Sequence, residues 1–205
     1  IKIGNVLGTA FFFDTLSGII TNVNIGNVTE QIFYATKDIS GEISYINAGN
    51  CNSGFYSNLD ISSQISNVNM GIIYNFPFFA NGDITGIINY INVSTNPTYS
   101  FYANNISSTM SYINSNGGIY TGVDFKGKLI NCEFDCRGKG ITVINNINSS
   151  AVIERCKLLA DSGQYSISAP SSTSVKIVYT ATNRGFNNVT SSLSPNYNIN
   201  STSII

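Results

Sequence analysis

The hydrophobic positions of this chain recur at intervals of roughly 22 residues, a spacing typical of solenoid repeats. The clearest copy spans residues 83–93, where the apolar anchor Ile88 is followed by apolar residues three and five positions later. Successive copies have their anchors at Ile20, Ile43, Ile65, Ile88, Met110, Leu129, Ile153 and Val175. The last two positions alternate with a polar residue, which predicts a strand with one buried face. The step of three residues before them predicts a bend or bulge in every copy.

A second apolar segment, rich in aromatic residues, follows in each of four copies. These segments are residues 32–35, 54–57, 77–80 and 100–103. Aromatic and β-branched residues favour strands, and the Gly and Asn residues between the segments predict turns. If the copies stack, like residues form columns, and two are predicted: Phe33, Phe55, Phe78 and Phe101, and then Ile39, Ile61, Ile84, Ile106 and Ile147.

Together these patterns predict an all-β parallel solenoid, a parallel β-helix, of about eight coils. Each unit is too short to bury its own apolar side, so it must stack on its neighbours. We expect the solenoid to span residues 1–180 and a polar cap or tail to span residues 181–205. The repeat is least regular near residue 124, which predicts a short coil before Leu129 and a longer one after it.

Composition narrows the classes of partner. Only 10% of the residues are charged, the formal net charge is −1, and 42% are hydrophobic. The few Lys and Arg residues form no basic patch, so we expect no nucleic-acid partner. No apolar run reaches the roughly 18 residues of a membrane helix, so we expect no membrane span. The first residues, Ile1-Lys2-Ile3, lack a Met and resemble the middle of a coil, as in a fragment or processed chain without a visible signal peptide.

The chain has four cysteines, at positions 51, 132, 136 and 156, and no His. They form no CxxC pair, so we expect no metal site and no cofactor. Cys132 and Cys156 occupy the same position of the repeat. A stacked pair of buried thiols is the favoured interpretation, although neighbouring strands, about 4.8 Å apart, also permit a disulfide.

About half of the charges lie between residues 124 and 161, where a carboxylate pair for glycoside hydrolysis could be placed. Glu133, Asp135 and Glu154 are the best candidates. The repeat, however, aligns Glu133 with Lys157, which favours a surface ladder of compensating charges. Without His, a His-dependent nucleophile is excluded. We therefore predict no catalytic residues.

Outward-facing tyrosines are the candidate ligand-binding residues. Tyrosine rings stack on sugar rings, and the Asn residues beside them can bind sugar hydroxyls. The same pattern also suits a stabilising ladder or a subunit interface. The candidates are Tyr34, Tyr45, Tyr56, Tyr90, Tyr102 and Tyr112.

Two steps recur between about residues 17 and 180: Asp-Ile-Ser/Thr-Gly, as at 38–41 and 83–86, and Ile-x-x-Val/Ile-Asn, as at 20–24 and 88–92. They resemble the right-handed parallel β-helix proteins, most of all the shafts of phage tail fibres and tailspikes. The resemblance implies an elongated, homotrimeric structural part of a phage or virus particle, on the virion or extracellular, that binds a host cell-surface glycan or receptor. Two alternatives have the same kind of repeat: a polysaccharide-degrading tailspike-like enzyme, and a cell-surface adhesin or appendage subunit. An enzyme should have a groove lined by uncompensated acids.

Overall fold

The computed structural model describes residues 1–95 and 98–191, together with the backbone of residues 197–198. The regular elements of these residues are all β-strands. In chain order they are β1 (Lys2–Ile3), β2 (Phe11–Phe13), β3 (Ile19–Ile25), β4 (Gln31–Ala35), β5 (Glu42–Ala48), β6 (Ser53–Ser57), β7 (Gln64–Ile72), β8 (Phe78–Ala80), β9 (Ile87–Thr95), β10 (Tyr99–Ile106), β11 (Thr109–Ser115), β12 (Gly118–Phe125), β13 (Lys128–Ile130), β14 (Glu133–Asp135), β15 (Val152–Glu154), β16 (Lys157–Leu159), β17 (Ile167–Val178), β18 (Ala181–Thr182), β19 (Phe186–Ser191) and β20 (Tyr197–Asn198).

Two sheets run along the molecule, and every strand pairing in them is parallel. The odd-numbered strands from β1 to β19 form the long sheet in chain order, and β14, β16, β18 and β20 join it. The even-numbered strands from β2 to β12 form a six-stranded sheet. From β1 to β12 the chain thus alternates between the two sheets and returns to each of them one coil later. This confirms the predicted fold, a parallel β-solenoid of about eight coils with a repeat of roughly 22 residues.

The predicted anchors pair from one coil to the next, with one exception. Ile20 pairs with Ile43, and the series continues in register through Ile65, Ile88, Met110, Leu129 and Ile153. The partner of Ile153 is Ile177, so the prediction of Val175 is wrong by two residues. The coil from Met110 to Leu129 is short and the next one is long, as the sequence predicted.

Both predicted core columns are present. Successive phenylalanine rings of the six-stranded sheet stack with centroids 4.7–4.9 Å apart from Phe33 to Phe101, and Phe11 extends the stack at 5.0 Å. The Ile39 column is held by single parallel bridges, and it also includes Leu16 and Phe125. All of these side chains except Phe11 are buried, and each fully buried ring or Ile side chain stabilises the fold by about 1.5–3 kcal/mol.

Asparagine side chains connect one coil to the next at a Gly-Asn turn. The Oδ1 atoms of Asn5, Asn27 and Asn50 accept hydrogen bonds from the backbone N–H groups of Asn27, Asn50 and Ile72, each at 2.9 Å. Each of the three donor residues follows a glycine, namely Gly26, Gly49 and Gly71. These glycines have no space for a side chain, because the Asn Oδ1 atom of the previous coil occupies the position of a Cβ atom. We call this arrangement the Gly-Asn ladder.

A second ladder uses aspartate at another turn. Asp38 Oδ1 accepts from the N–H of Asp60 at 3.1 Å, Asp60 Oδ1 from Asp83 at 2.7 Å, and Asp83 Oδ1 from Asn105 at 3.0 Å. The carboxylates therefore replace the backbone partners that a turn lacks. These three acids therefore have a structural role in joining the coils.

Two buried serines give a matched test of hydroxyl burial. Ser57 Oγ donates to the Lys37 carbonyl and accepts from the Leu59 amide at 3.2 Å. Ser63 Oγ is equally buried and has no partner among the residues that the structure describes. We expect Ser63→Ala to leave the free energy of unfolding unchanged or to raise it by up to about 1 kcal/mol, and Ser57→Ala to lower it by about 1–2 kcal/mol. Urea unfolding followed by circular dichroism checks both values, and equal losses would contradict the assignment.

Strand pairing continues beyond residue 180. Strand β18 pairs with β16, and β19 pairs with β17. The predicted boundary between solenoid and cap stays a prediction, and residues 192–196 and 199–205 of the predicted tail lie outside the described residues. Within residues 1–95 and 98–191, no helix is long and apolar enough to cross a membrane.

Candidate ligand-binding site

The predicted bend in each coil of the long sheet is one residue in the left-handed conformation. These residues stack into a column, the bend column, with φ between 49° and 56°. Its members are Asn22, Tyr45, Asn67, Tyr90, Tyr112, Asn131, Arg155 and Tyr179. Asn adopts this conformation more readily than other non-glycine residues, whereas an aromatic residue there is uncommon. Local stability therefore favours Asn throughout the column, and the four tyrosines need another explanation.

The tyrosines of the bend column are exposed to solvent. The exposed fractions are 60% for Tyr45, 53% for Tyr90, 50% for Tyr112 and 62% for Tyr179. Tyr90 and Tyr112 stack on each other, with centroids 4.8 Å apart and planes at 4°, so each keeps one free face. Tyr45 lies between Asn22 and Asn67 in the column, so neither neighbour in the column covers it with a ring. These rings can accept another flat ring.

The other predicted tyrosines lie on the six-stranded sheet and are arranged differently. Tyr34, Tyr56 and Tyr102 belong to a continuous stack in which neighbouring ring centroids are 4.5–5.4 Å apart. The stack, which we call the outer aromatic ladder, consists of Phe12, Tyr34, Tyr56, Phe79, Tyr102 and Tyr120. Its interior rings have both faces covered by neighbours, and partial burial raises the pKa of Tyr56. This geometry stabilises the coils and leaves only ring edges for a ligand.

Small polar side chains flank the bend column. On one side is a column of Asn24, Asn47, Asn69, Asn92 and Asn114. In this column Asn114 Nδ2 donates to Asn92 Oδ1 at 3.3 Å. On the other side Ser44 Oγ donates to Thr21 Oγ1 at 3.1 Å. The exposed rings therefore stand among uncharged hydrogen-bonding groups.

A shallow depression of about 530 Å³ lies at the C-terminal end of the bend column. The side chains that line it include Tyr112 and Tyr179 at its two ends, with Asn131 and Arg155 between them. Arg155 Nε donates to Asn131 Oδ1 at 3.0 Å. The depression is therefore a gap in the series of rings with a polar floor.

The acids at this end are paired with bases. Glu133 Oε1 lies 2.8 Å from Lys157 Nζ, as the alignment predicted, and Glu154 Oε1 lies 3.2 Å from Arg155. Hydrogen bonds from Arg137 lower the pKa of Asp135. A carboxylate held in its ionised form is poorly suited to act as a general acid. Among the residues that the structure describes, no three Cys, Asp or Glu side chains are grouped as a metal ion requires.

Sequence reasoning selected three of the four tyrosines of the bend column, Tyr45, Tyr90 and Tyr112, and missed Tyr179. The alignment that places Glu133 beside Lys157 also places Asn131 beside Arg155. The repeat carried the signal, because a step of one coil from Asn131 reaches Arg155 and a further step reaches Tyr179. The misplaced anchor at Val175 concealed the second step. Ligand binding by the six predicted tyrosines stays a prediction.

Comparisons of the chain with protein-family models, with curated proteins and with solved structures found no match. The similarity to phage fibre shafts therefore rests on the repeat pattern of the sequence.

Proposed function

We propose that this chain is a structural fibre protein whose bend column binds a glycan on a host or cell surface. The observation that supports the proposal is the set of four exposed tyrosines in a backbone conformation that favours Asn. An aromatic left-handed residue costs about 1–2 kcal/mol relative to the usual conformation. Strain of this kind is a reason to look for function at the strained residue.

The spacing of the free rings matches the thickness of a sugar ring. Tyr45 and Tyr90 are two coils apart, about 10 Å at the spacing of parallel strands, and only Asn67 lies between them in the column. Ring contacts need centroids about 4.5–7 Å apart. One pyranose above Asn67 would therefore touch both tyrosines and continue the stack.

The gap between rings at the C-terminal end of the bend column is one coil wider than the gap between Tyr45 and Tyr90. Tyr112 and Tyr179 are three coils apart, about 14 Å, with Asn131 and Arg155 between them. Two linked sugar rings would fill this gap. Because Glu154 and Glu133 already compensate Arg155 and Lys157, we expect a neutral saccharide that runs along the solenoid axis.

The position of the chain on a phage or virus particle is a further part of the proposal. The resemblance of the repeat to tail-fibre and tailspike shafts supports it. The resemblance implies that the chain forms a homotrimer and that the trimer binds a host glycan or receptor.

A glycan array with labelled protein tests the binding, followed by titration of the best oligosaccharide. We expect Tyr45→Asn to weaken binding about tenfold, the loss of one stacking contact. The variant should fold at least as well as the parent, because Asn occupies the same conformation in three other coils. Tyr56→Phe is the matched control: it lies in the outer aromatic ladder, where position 79 is already Phe, and binding should not change.

Two results would contradict the proposal. If no array glycan binds and Tyr45→Asn converts an oligomer to a 22.1 kDa monomer in sedimentation, the bend column is a subunit interface. If incubation with capsule or lipopolysaccharide releases reducing or unsaturated ends, and Glu133→Gln or Glu154→Gln abolishes the release, the chain is a polysaccharide-degrading enzyme.

A further inference from the structure

Cys132 and Cys156 occupy equivalent positions in neighbouring coils, directly after the bend residues Asn131 and Arg155. On one side Ile130 pairs with Glu154, and on the other Glu133 pairs with Lys157. The two cysteines are therefore in register, about 4.8 Å apart at the backbone. This separation lies within the Cα range of disulfides, about 4.4–6.8 Å.

Both thiols are free. The interaction between them lowers the pKa of Cys132 and raises the pKa of Cys156. Carbonyl oxygens also lie close to both sulfurs: Ile130 O is 3.3 Å from Cys132 Sγ, and Glu154 O is 3.3 Å from Cys156 Sγ. Cys132 is thus the sulfur that more readily becomes the nucleophilic thiolate.

The other two cysteines differ in both respects. Cys51 and Cys136 are buried, and burial raises the pKa of each thiol to about 12. Neither lines the depression beside the bend column, whereas Cys132 and Cys156 both do. With exposed fractions of 2% and 3%, these two residues lie just beneath the floor of the depression, where a small oxidant can arrive.

We propose that Cys132 and Cys156 are an oxidation site at which a peroxide forms a disulfide between neighbouring coils. The Cys132 thiolate attacks one oxygen of hydrogen peroxide, the O–O bond breaks, and hydroxide leaves, so that Cys132 becomes a sulfenic acid. The hydroxide takes up the proton that the Cys132 thiol released and becomes the first water. The sulfur of Cys156 then attacks the sulfenic sulfur, the S–O bond breaks, and the hydroxide departs with the Cys156 proton as a second water. Two thiols and one peroxide give one disulfide and two waters.

The test treats the folded full chain with hydrogen peroxide, alkylates the remaining thiols in denaturant, and maps the peptides under non-reducing conditions. We expect one cross-link, between the peptides that contain Cys132 and Cys156, with Cys51 and Cys136 alkylated. A Cys136→Ser variant should keep the cross-link, and a Cys132→Ser variant should lose it. In a Cys156→Ser variant, the sulfenic acid should remain on Cys132, where dimedone traps it.

The proposal is overturned if both thiols remain alkylatable after peroxide treatment of the folded protein. A cross-link that forms only in urea, or one that involves Cys51 or Cys136, also overturns it, because neither depends on the register of the folded coils. The variants are compared by far-UV circular dichroism so that a loss of fold is recognised.

Discussion

Ile65→Asp should abolish the cooperative unfolding transition of this protein. Ile65 is fully buried and pairs with Ile43 in the coil before it and with Ile88 in the coil after it. The buried residues that the structure describes include no Lys or Arg, and burying a charge without a partner costs several kcal/mol. Since domains are stable by only about 5–15 kcal/mol, we expect a protein without a sharp transition in urea or on heating, measured by circular dichroism.

Asn69→Asp is the matched control for this substitution. Asn69 lies in the same strand, β7, but is exposed between Asn47 and Asn92. The same new charge should therefore remain in water and change the free energy of unfolding by less than about 0.5 kcal/mol. An Ile65→Asp protein that melts like the parent would show that the anchor column is not the core.

Gly49→Ala should lower the free energy of unfolding by about 2–4 kcal/mol, from overpacking and a lost hydrogen bond. A Cβ atom at position 49 would lie 2.6 Å from Asn27 Oδ1 and 3.0 Å from the backbone of Gly26. Asn27 cannot simply move aside, because its Oδ1 accepts the hydrogen bond from the Asn50 N–H at 2.9 Å. Urea unfolding measures the loss.

Gly4→Ala distinguishes the effect of the clash from the effect of removing a glycine. Gly4 occupies the same position in the first coil, where a Cβ atom would meet no heavy atom of the described residues within 4 Å. We expect its free energy of unfolding to change by less than about 0.5 kcal/mol. Equal losses at positions 4 and 49 would contradict the role assigned to the Gly-Asn ladder.

The fold could be predicted from the sequence because a solenoid repeats the same burial problem in every coil. Ile43, Ile65 and Ile88 each pair with the equivalent anchor of the neighbouring coil. One repeat spacing therefore predicts the positions of all three. The last anchor shows where this reasoning fails. Val175 and Ile177 are both fully buried and two residues apart, so strand alternation accepts either as the anchor. Only the observed pairing of Ile153 with Ile177 decides between them.

The candidate site was less predictable, because the availability of a ring depends on its neighbours. Tyr56 and Tyr45 are both outward-facing tyrosines in the sequence pattern. In the structure Tyr56 is covered by Tyr34 and Phe79, whereas the neighbours of Tyr45 in its column are both Asn. The sequence indicated a bend at Tyr45, but it did not indicate the left-handed backbone that separates this column from the outer aromatic ladder.

The Gly-Asn ladder and the columns beside it join each coil only to the coils next to it. The length of the solenoid is therefore set by the number of coils. Deleting or duplicating one whole coil between Tyr45 and Tyr90 would preserve every column while changing their separation by one strand spacing, about 4.8 Å. Gain or loss of one repeat would thus lengthen or shorten the proposed binding surface in fixed increments and leave the core unchanged. Related proteins with more or fewer coils would then be expected to bind longer or shorter glycans.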